Sequence, residues 1–159
     1  MILNAETELR LAGEADTARL GAALASALRA GEAICLYGPL GAGKSTLARA
    51  LIRARTGPDE DVPSPTFTLV QFYEGDGLAI AHFDLYRLAS PDEAYEIGLE
   101  EALDDGAVLI EWPERLGDAL PPHRLEVRIT PEPAADDSVR RVRLIPHGAW
   151  EGRRVEFGS

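Results

Sequence analysis

Ala33-Ile34-Cys35-Leu36-Tyr37 runs directly into Gly38-Pro39-Leu40-Gly41-Ala42-Gly43-Lys44-Ser45. The first five residues are an unbroken apolar run, as expected of a strand buried on both faces of a parallel sheet. The next eight read Gly-x4-Gly-Lys-Ser. Glycines allow positive φ and bring backbone amides against an anion with no side chain in the way. Those amides and the N-terminus of a following helix direct positive charge at phosphate. The spacing predicts that Lys44 reaches the β and γ phosphates of a nucleoside triphosphate and that the Ser45 hydroxyl ligates Mg2+. Two fixed glycines, a lysine and a Ser or Thr match on the order of one random chain of this length in a few hundred. The apolar strand before the loop and the helical pattern after it make chance less credible still.

Outward from the loop, Lys44 to Arg55 places Leu47, Ala48, Leu51 and Ile52 on one side of a helix, which Gly57-Pro58 ends. Upstream, Glu6 to Leu11 alternates as a short strand. A helix with Leu20, Leu24, Ala27 and Leu28 at helical spacing opens near Glu14, with Asp16 or Thr17 as its cap and Gly31 as its stop. Downstream, Asp59 to Pro65 is a loop and Phe67 to Tyr73 a strand. Asp76-Gly77 is a hairpin turn signal, and Leu78 to Phe83 is the returning strand. Ser90-Pro91-Asp92-Glu93 has the composition of a helix start. Ala107 to Ile110 is a second fully apolar strand. His123 to Thr130 and Val139 to Ile145 alternate and are expected to pair as edge strands. Together these predict an α/β chain, one domain spanning 1–159: a three-layer nucleotide-binding fold with a parallel central sheet and antiparallel strands at its edges.

A phosphate-binding loop needs a carboxylate to hold magnesium or its water, at the C-terminal end of a neighbouring parallel strand. Two acids qualify. Asp84 ends Leu78-Ala79-Ile80-Ala81-His82-Phe83, and Glu111 ends Ala107-Val108-Leu109-Ile110. Four unbroken apolar residues before it give Glu111 the better setting. Ser64-Pro65-Thr66-Phe67-Thr68 stands where nucleotide switches carry a γ-phosphate-sensing hydroxyl, although the same residues also describe an ordinary turn. Cys35 reads as a small buried residue and His82 and His123 as structural; His147, in a Pro-His-Gly turn, points to no role.

Composition narrows the setting. The chain has 159 residues, 45% of them apolar and 27% charged, enough to bury a core without disulfides. No apolar run approaches the roughly 20 residues of a membrane helix. One cysteine and no basic, apolar leader predict a cytoplasmic protein. A net charge of −11 argues against a stand-alone nucleic-acid binder. It fits either simple solubility or a basic protein partner.

Four blocks carry a resemblance. Gly38 to Ser45 is joined by Ser64-Pro65-Thr66-Phe67-Thr68-Leu69, by His82-Phe83-Asp84-Leu85-Tyr86-Arg87-Leu88 and by Leu109-Ile110-Glu111-Trp112-Pro113-Glu114. In order and spacing the chain resembles the TsaE (YjeE) family, small ATPases needed for the threonylcarbamoyl modification of adenosine in tRNA. The resemblance implies ATP and Mg2+ as cofactors. It implies a nucleotide site built from Gly38, Leu40, Gly41, Ala42, Gly43, Lys44, Ser45 and Thr46, with Thr17 near the adenine and Trp112 close to the nucleotide. Ser45 and Glu111 would serve the metal, and Asp84 would be a second acid needed for hydrolysis. Ser64, Thr66 and Thr68 would form a switch-like loop. The implied partners are a TsaB–TsaD pair, which the ATPase resets between turnovers, with tRNA met only through that complex. One departure stands out: Pro39 replaces the acid the family usually carries there. Two other readings share the loop. A small-molecule kinase would be expected to carry an arginine-bearing lid, whereas Arg140-Arg141-Val142-Arg143 falls in an alternating strand. A GTP switch would carry an Asn/Thr-Lys-x-Asp motif, which this sequence lacks.

Overall fold

A computed structural model describes residues 1–39, 41–65, 68–132 and 138–157. In chain order these form β1 (Thr7–Leu11), α1 (Glu14–Ala27), β2 (Ala33–Tyr37), α2 (Lys44–Thr56), β3 (Val70–Gly75) and β4 (Leu78–Asp84). Then follow α3 (Asp92–Glu96), α4 (Leu99–Asp105), β5 (Ala107–Glu111), a 3-10 segment (Pro113–Ala119), β6 (Arg124–Pro131), β7 (Arg140–Pro146) and a 3-10 turn (Gly148–Trp150).

The strands make one seven-stranded sheet in the order β1-β7-β6-β2-β5-β4-β3. β6, β2, β5 and β4 are mutually parallel, and the outer pairings β7–β6, β1–β7 and β3–β4 are antiparallel. β2 and β5 are buried at every position, as central strands between two helix layers must be. One face of the sheet, with Ile34, Leu36, Leu109, Val127 and Leu144, packs under Leu20 and Leu24 of α1 and Leu47 and Leu51 of α2. The other face, with Cys35, Phe83, Val108 and Ile110, is covered by Ala94, Leu99, Ala102 and Leu116. This is the three-layer α/β arrangement expected from the strand and helix pattern.

Several local expectations are refined. β6 and β7 do pair, with Val127 opposite Leu144, but neither is an edge. β1 lies outside β7, placing Leu9 opposite Val142, so the edges are β1 and β3. Gly13, not Asp16 or Thr17, occupies the cap position of α1. Asp16 accepts a hydrogen bond from the Ala12 amide at 2.9 Å and the Thr17 hydroxyl donates to the Gly13 carbonyl at 3.3 Å, so both brace the helix start from inside its first turn. That helix ends at Ala27, where Leu28 turns extended, rather than at Gly31. β3 begins at Val70 because Leu69 has a positive φ of 68°; Phe67 lies outside the described residues. At the β3–β4 turn Asp76 and Gly77 have φ of 52° and 75°, the paired positive values a type I′ hairpin needs. α4 gives no clear periodic signal of its own; Gly98, at φ 93°, breaks it away from α3.

The C-terminal segment has a structural task. Its backbone pairs with the N-terminus through Leu3, Val155 and Met1. Arg153 forms two 2.6 Å bonds to the buried Glu32 carboxylate, donates to the carbonyls of Ala27 and Ala149, and lies over the Trp150 ring. Among the described residues, no helix is long and apolar enough to cross a membrane.

Candidate functional site

The sheet's period of two decides what meets at its C-terminal end. β2 stops at Tyr37, and Gly38 turns with φ 152°. A Cβ there would sit 2.5 Å from the Ile129 carbonyl oxygen of β6, so the turn requires glycine at this point. Ala42 is buried in the core, leaving the loop to present backbone rather than side chains. Gly43, at φ 108° and ψ 11°, is the cap residue of α2. The helix therefore starts with Lys44, and the amides of its first turn lack intrahelical acceptors.

Glu111 ends β5, and His82 and Asp84 lie near the end of β4. Ile80, His82 and Asp84 share one phase of β4, while Ala107, Leu109 and Glu111 share that of β5. Ile80, Ala107 and Leu109 pack in the core beneath α1 and α2, so all three polar side chains project toward the glycine loop. Asp84 and Glu111 are paired neighbours in the parallel register. Both are buried, as is His82. Glu111 is held at both oxygens: the Ser45 hydroxyl donates to Oε1 at 3.3 Å, and His82 Nε2 lies 2.7 Å from Oε2. The contact assigns the proton to Nε2 as donor. Asp84 accepts the Tyr86 amide at 3.1 Å.

Lys44 is buried, and among the described residues its Nζ has no hydrogen-bond partner. It rests 3.5 Å from the centre of the Trp112 ring. Burial lowers its pKa below the usual lysine value, and the nearby carboxylates of Glu111, Glu114 and Asp84 offset part of that shift. Trp112 itself is in the left-handed region, φ 60° and ψ 49°, which is uncommon for a bulky residue. Its ring also meets Tyr86, with centres 4.9 Å apart.

These groups line a cavity of about 280 Å³ bounded by Gly41, Gly43, Lys44, Ser45, Thr46, Ser64, Asp84, Glu111, Trp112 and Arg140. An adjoining cavity of about 250 Å³ is bounded by Glu14, Thr17, Gly43, Thr46, Ser138 and Arg140. A wider groove adjoins the first cavity, lined by Tyr37, Gly38, Pro39, Trp112 and Arg128 among others, but it is not bounded by Lys44, Ser45 or the acid pair. Most residues singled out from the sequence thus converge. Thr17 lies in the second cavity. Thr68 lines neither; it is exposed and accepts a hydrogen bond from the Gln71 side chain. Leu40 and Thr66 lie outside the described residues.

Two residues read otherwise from sequence also belong here. His82 stands two positions before Asp84, in phase with it, and that spacing was its available signal. Arg140 comes from β7 and meets the loop across 98 residues of chain; no local pattern points to it.

A sequence model of the family described as "Threonylcarbamoyl adenosine biosynthesis protein TsaE" matches residues 11–142. The chain belongs to the TsaE family. The tRNA threonylcarbamoyladenosine biosynthesis protein TsaE of Rickettsia felis is 42% identical over 149 residues, covering 94% of this chain and 85% of that protein. The protein of the same name from Aquifex aeolicus is 40% identical over 138 residues, covering 86% and 94%. The crystal structure of Bacillus subtilis YdiB superposes with a TM-score of 0.73 at 27% identity, covering 93% of this chain and 88% of that one. The matched TsaE span begins at the end of β1 and closes in β7, so it includes the glycine loop, both acids, His82 and Arg140.

Proposed function

We propose that this TsaE-family chain binds ATP with Mg2+ and hydrolyses it in the cytoplasm, as the nucleotide-driven component of threonylcarbamoyl modification of adenosine in tRNA. The observation that carries the reading is the Ser45–Glu111–His82 chain at the mouth of the glycine loop, with Asp84 beside it and Lys44 Nζ without a hydrogen-bond partner among the described residues. The relatives' shared name supplies the pathway. The donor set fits magnesium: one hydroxyl and two carboxylates are hard oxygen ligands. Among the described residues no cluster of three or more His, Cys, Asp or Glu could cage a metal alone. That suits an ion which takes one or two protein ligands and completes its shell with phosphate and water.

In this reading the amides of Gly41, Gly43 and Lys44 cradle the phosphates, and the Lys44 ammonium leaves the Trp112 ring for the β and γ phosphate oxygens. Ser45 and Glu111 would hold magnesium, which when bound would supply charge neutralisation for the phosphates. Asp84 orients the attacking water and takes its proton as the new bond to the γ phosphorus forms and the bond to the ADP oxygen breaks. Thr17 and the second cavity receive the nucleoside end. The partner is a TsaB–TsaD pair, and tRNA is met only through it. Hydrolysis is measured alone and with TsaB–TsaD; the expected result is weak turnover alone and a clear increase with the pair. Fast hydrolysis indifferent to both proteins would sink the reading.

A further inference from the structure

Arg140 opens β7 in phase with Val142 and Leu144, which are buried in the core beneath α1 and α2. Its neighbours Arg141 and Arg143 project from the other face of the sheet and pair with Glu8, Glu132 and Glu6. An arginine on the apolar phase of a strand needs a polar destination. At the start of β7 the apolar layer gives way to the glycine loop, and the guanidinium meets it. Nε donates to the Ala42 carbonyl at 2.7 Å and Nη2 to the Gly41 carbonyl at 3.3 Å, while Nη1 donates to the Val139 carbonyl at 3.0 Å. A loop that turns its amides inward on an anion turns carbonyls outward; Ala42 is buried and its carbonyl needs a donor, while Gly41 is exposed. One planar guanidinium serves two adjacent carbonyls, a fork that a lysine cannot reproduce.

We propose that Arg140 is a positioning residue that holds the glycine loop in its anion-binding shape before nucleotide arrives, tying the loop to β7. The inference rests on the proposed nucleotide site but concerns the nucleotide-free state. It acts through loop carbonyls, so ATP and ADP, which share the β-phosphate cradle, depend on it alike.

The test compares wild type with Arg140→Ala and Arg140→Lys. Amide hydrogen exchange of Gly41 to Ser45 is followed without nucleotide, and ATP and ADP affinities are measured by calorimetry. Circular dichroism and the melting midpoint check that each variant folds; Arg140→Lys keeps length and charge and serves if Arg140→Ala does not fold. The expected result is faster loop exchange in both variants, with ATP and ADP affinity reduced by the same factor, about tenfold or more in Arg140→Ala. Arg140→Lys recovers only part of the loss. Unchanged loop exchange overturns the proposal. So does full recovery by lysine, which would make charge alone sufficient, and so does a loss confined to ATP, which would signal direct γ-phosphate contact. A wild type that binds neither nucleotide overturns the proposed function instead, and the exchange measurement still tests Arg140.

Discussion

Replacing His82 with alanine separates the placement of Glu111 from nucleotide binding. Glu111 is 3% exposed and its two oxygens have unequal donors, Ser45 at 3.3 Å and His82 at 2.7 Å. The imidazole is therefore the stronger anchor. Removing a hydrogen bond to a charged group forfeits about 1.5–3 kcal/mol. If turnover needs Glu111 in its anchored rotamer, that is a loss of about 10- to 150-fold. The loop amides and Lys44 are untouched, so the affinity for a non-hydrolysable ATP analogue should stay within about threefold of wild type, a change of under 1 kcal/mol. Glutamine can place its amide nitrogen where Nε2 now lies, so His82→Gln should recover most of the turnover. The assay is single-turnover hydrolysis at saturating nucleotide with TsaB–TsaD present, alongside analogue titration. The reasoning fails if His82→Ala hydrolyses ATP at the wild-type rate, or if its affinity falls by the same factor as its turnover.

Three further outcomes follow from the same geometry. Glu111→Ala should lower hydrolysis by about 10²-fold or more while analogue binding persists, whereas Lys44→Ala should also weaken binding by about tenfold or more; near-normal turnover in Glu111→Ala would refute its role as the magnesium-associated acid. Burial holds the Lys44 pKa below 10.5, so the unfolded chain binds more protons between that lowered value and 10.5, and fold stability rises with pH across the window. Lys44→Met should therefore stabilise the nucleotide-free protein at neutral pH by about 1 kcal/mol, with a gap that narrows toward pH 10.5, and melting curves showing a widening gap would refute the sign. Arg153→Met strands the buried Glu32 carboxylate and should destabilise the fold by about 3–5 kcal/mol, lowering the melting midpoint by about 6–20 °C; a drop of a degree or less would show that the tail is not stapled by this pair.

What was legible in the sequence is what local backbone physics dictates. The glycine loop announces itself because only glycine tolerates φ 152° against the Ile129 carbonyl and φ 108° at the start of α2. β2 and β5 announce themselves because a strand covered on both faces must be apolar throughout, and Glu111 stands where such a run ends. Neighbour relations are less legible. That β1 covers β7 depends on sheet order, which alternation within either strand does not encode. Arg140 reads as one of three arginines in an alternating strand until β7 is laid beside β6, β6 beside β2, and the loop after β2 is found within its reach. His82 reads as a core histidine until the parallel register puts β4 against β5 and its ring against Glu111.

Two unsatisfied groups and one strained residue meet at the C-terminal end of the central strands. Among the described residues Lys44 Nζ and His82 Nδ1 are buried without hydrogen-bond partners, and Trp112 adopts a left-handed conformation of the kind that costs about 1–3 kcal/mol for a non-glycine residue. Arg153 and Glu32 are also buried, yet they pair twice. The difference follows from position. In the proposed function Lys44 receives an incoming anion, and a ring face, which attracts a cation without occupying its N–H donors in a salt bridge, is a compatible resting place. Trp112 can offer that face only because the backbone turns sharply after Glu111, so the strain at φ 60° and the cation over the ring have one geometric origin. The same turn puts Trp112 against Tyr86, one position beyond Leu85, whose amide bonds the Glu111 carbonyl. A change in where Lys44 rests is therefore felt first by the segments that follow β4 and β5.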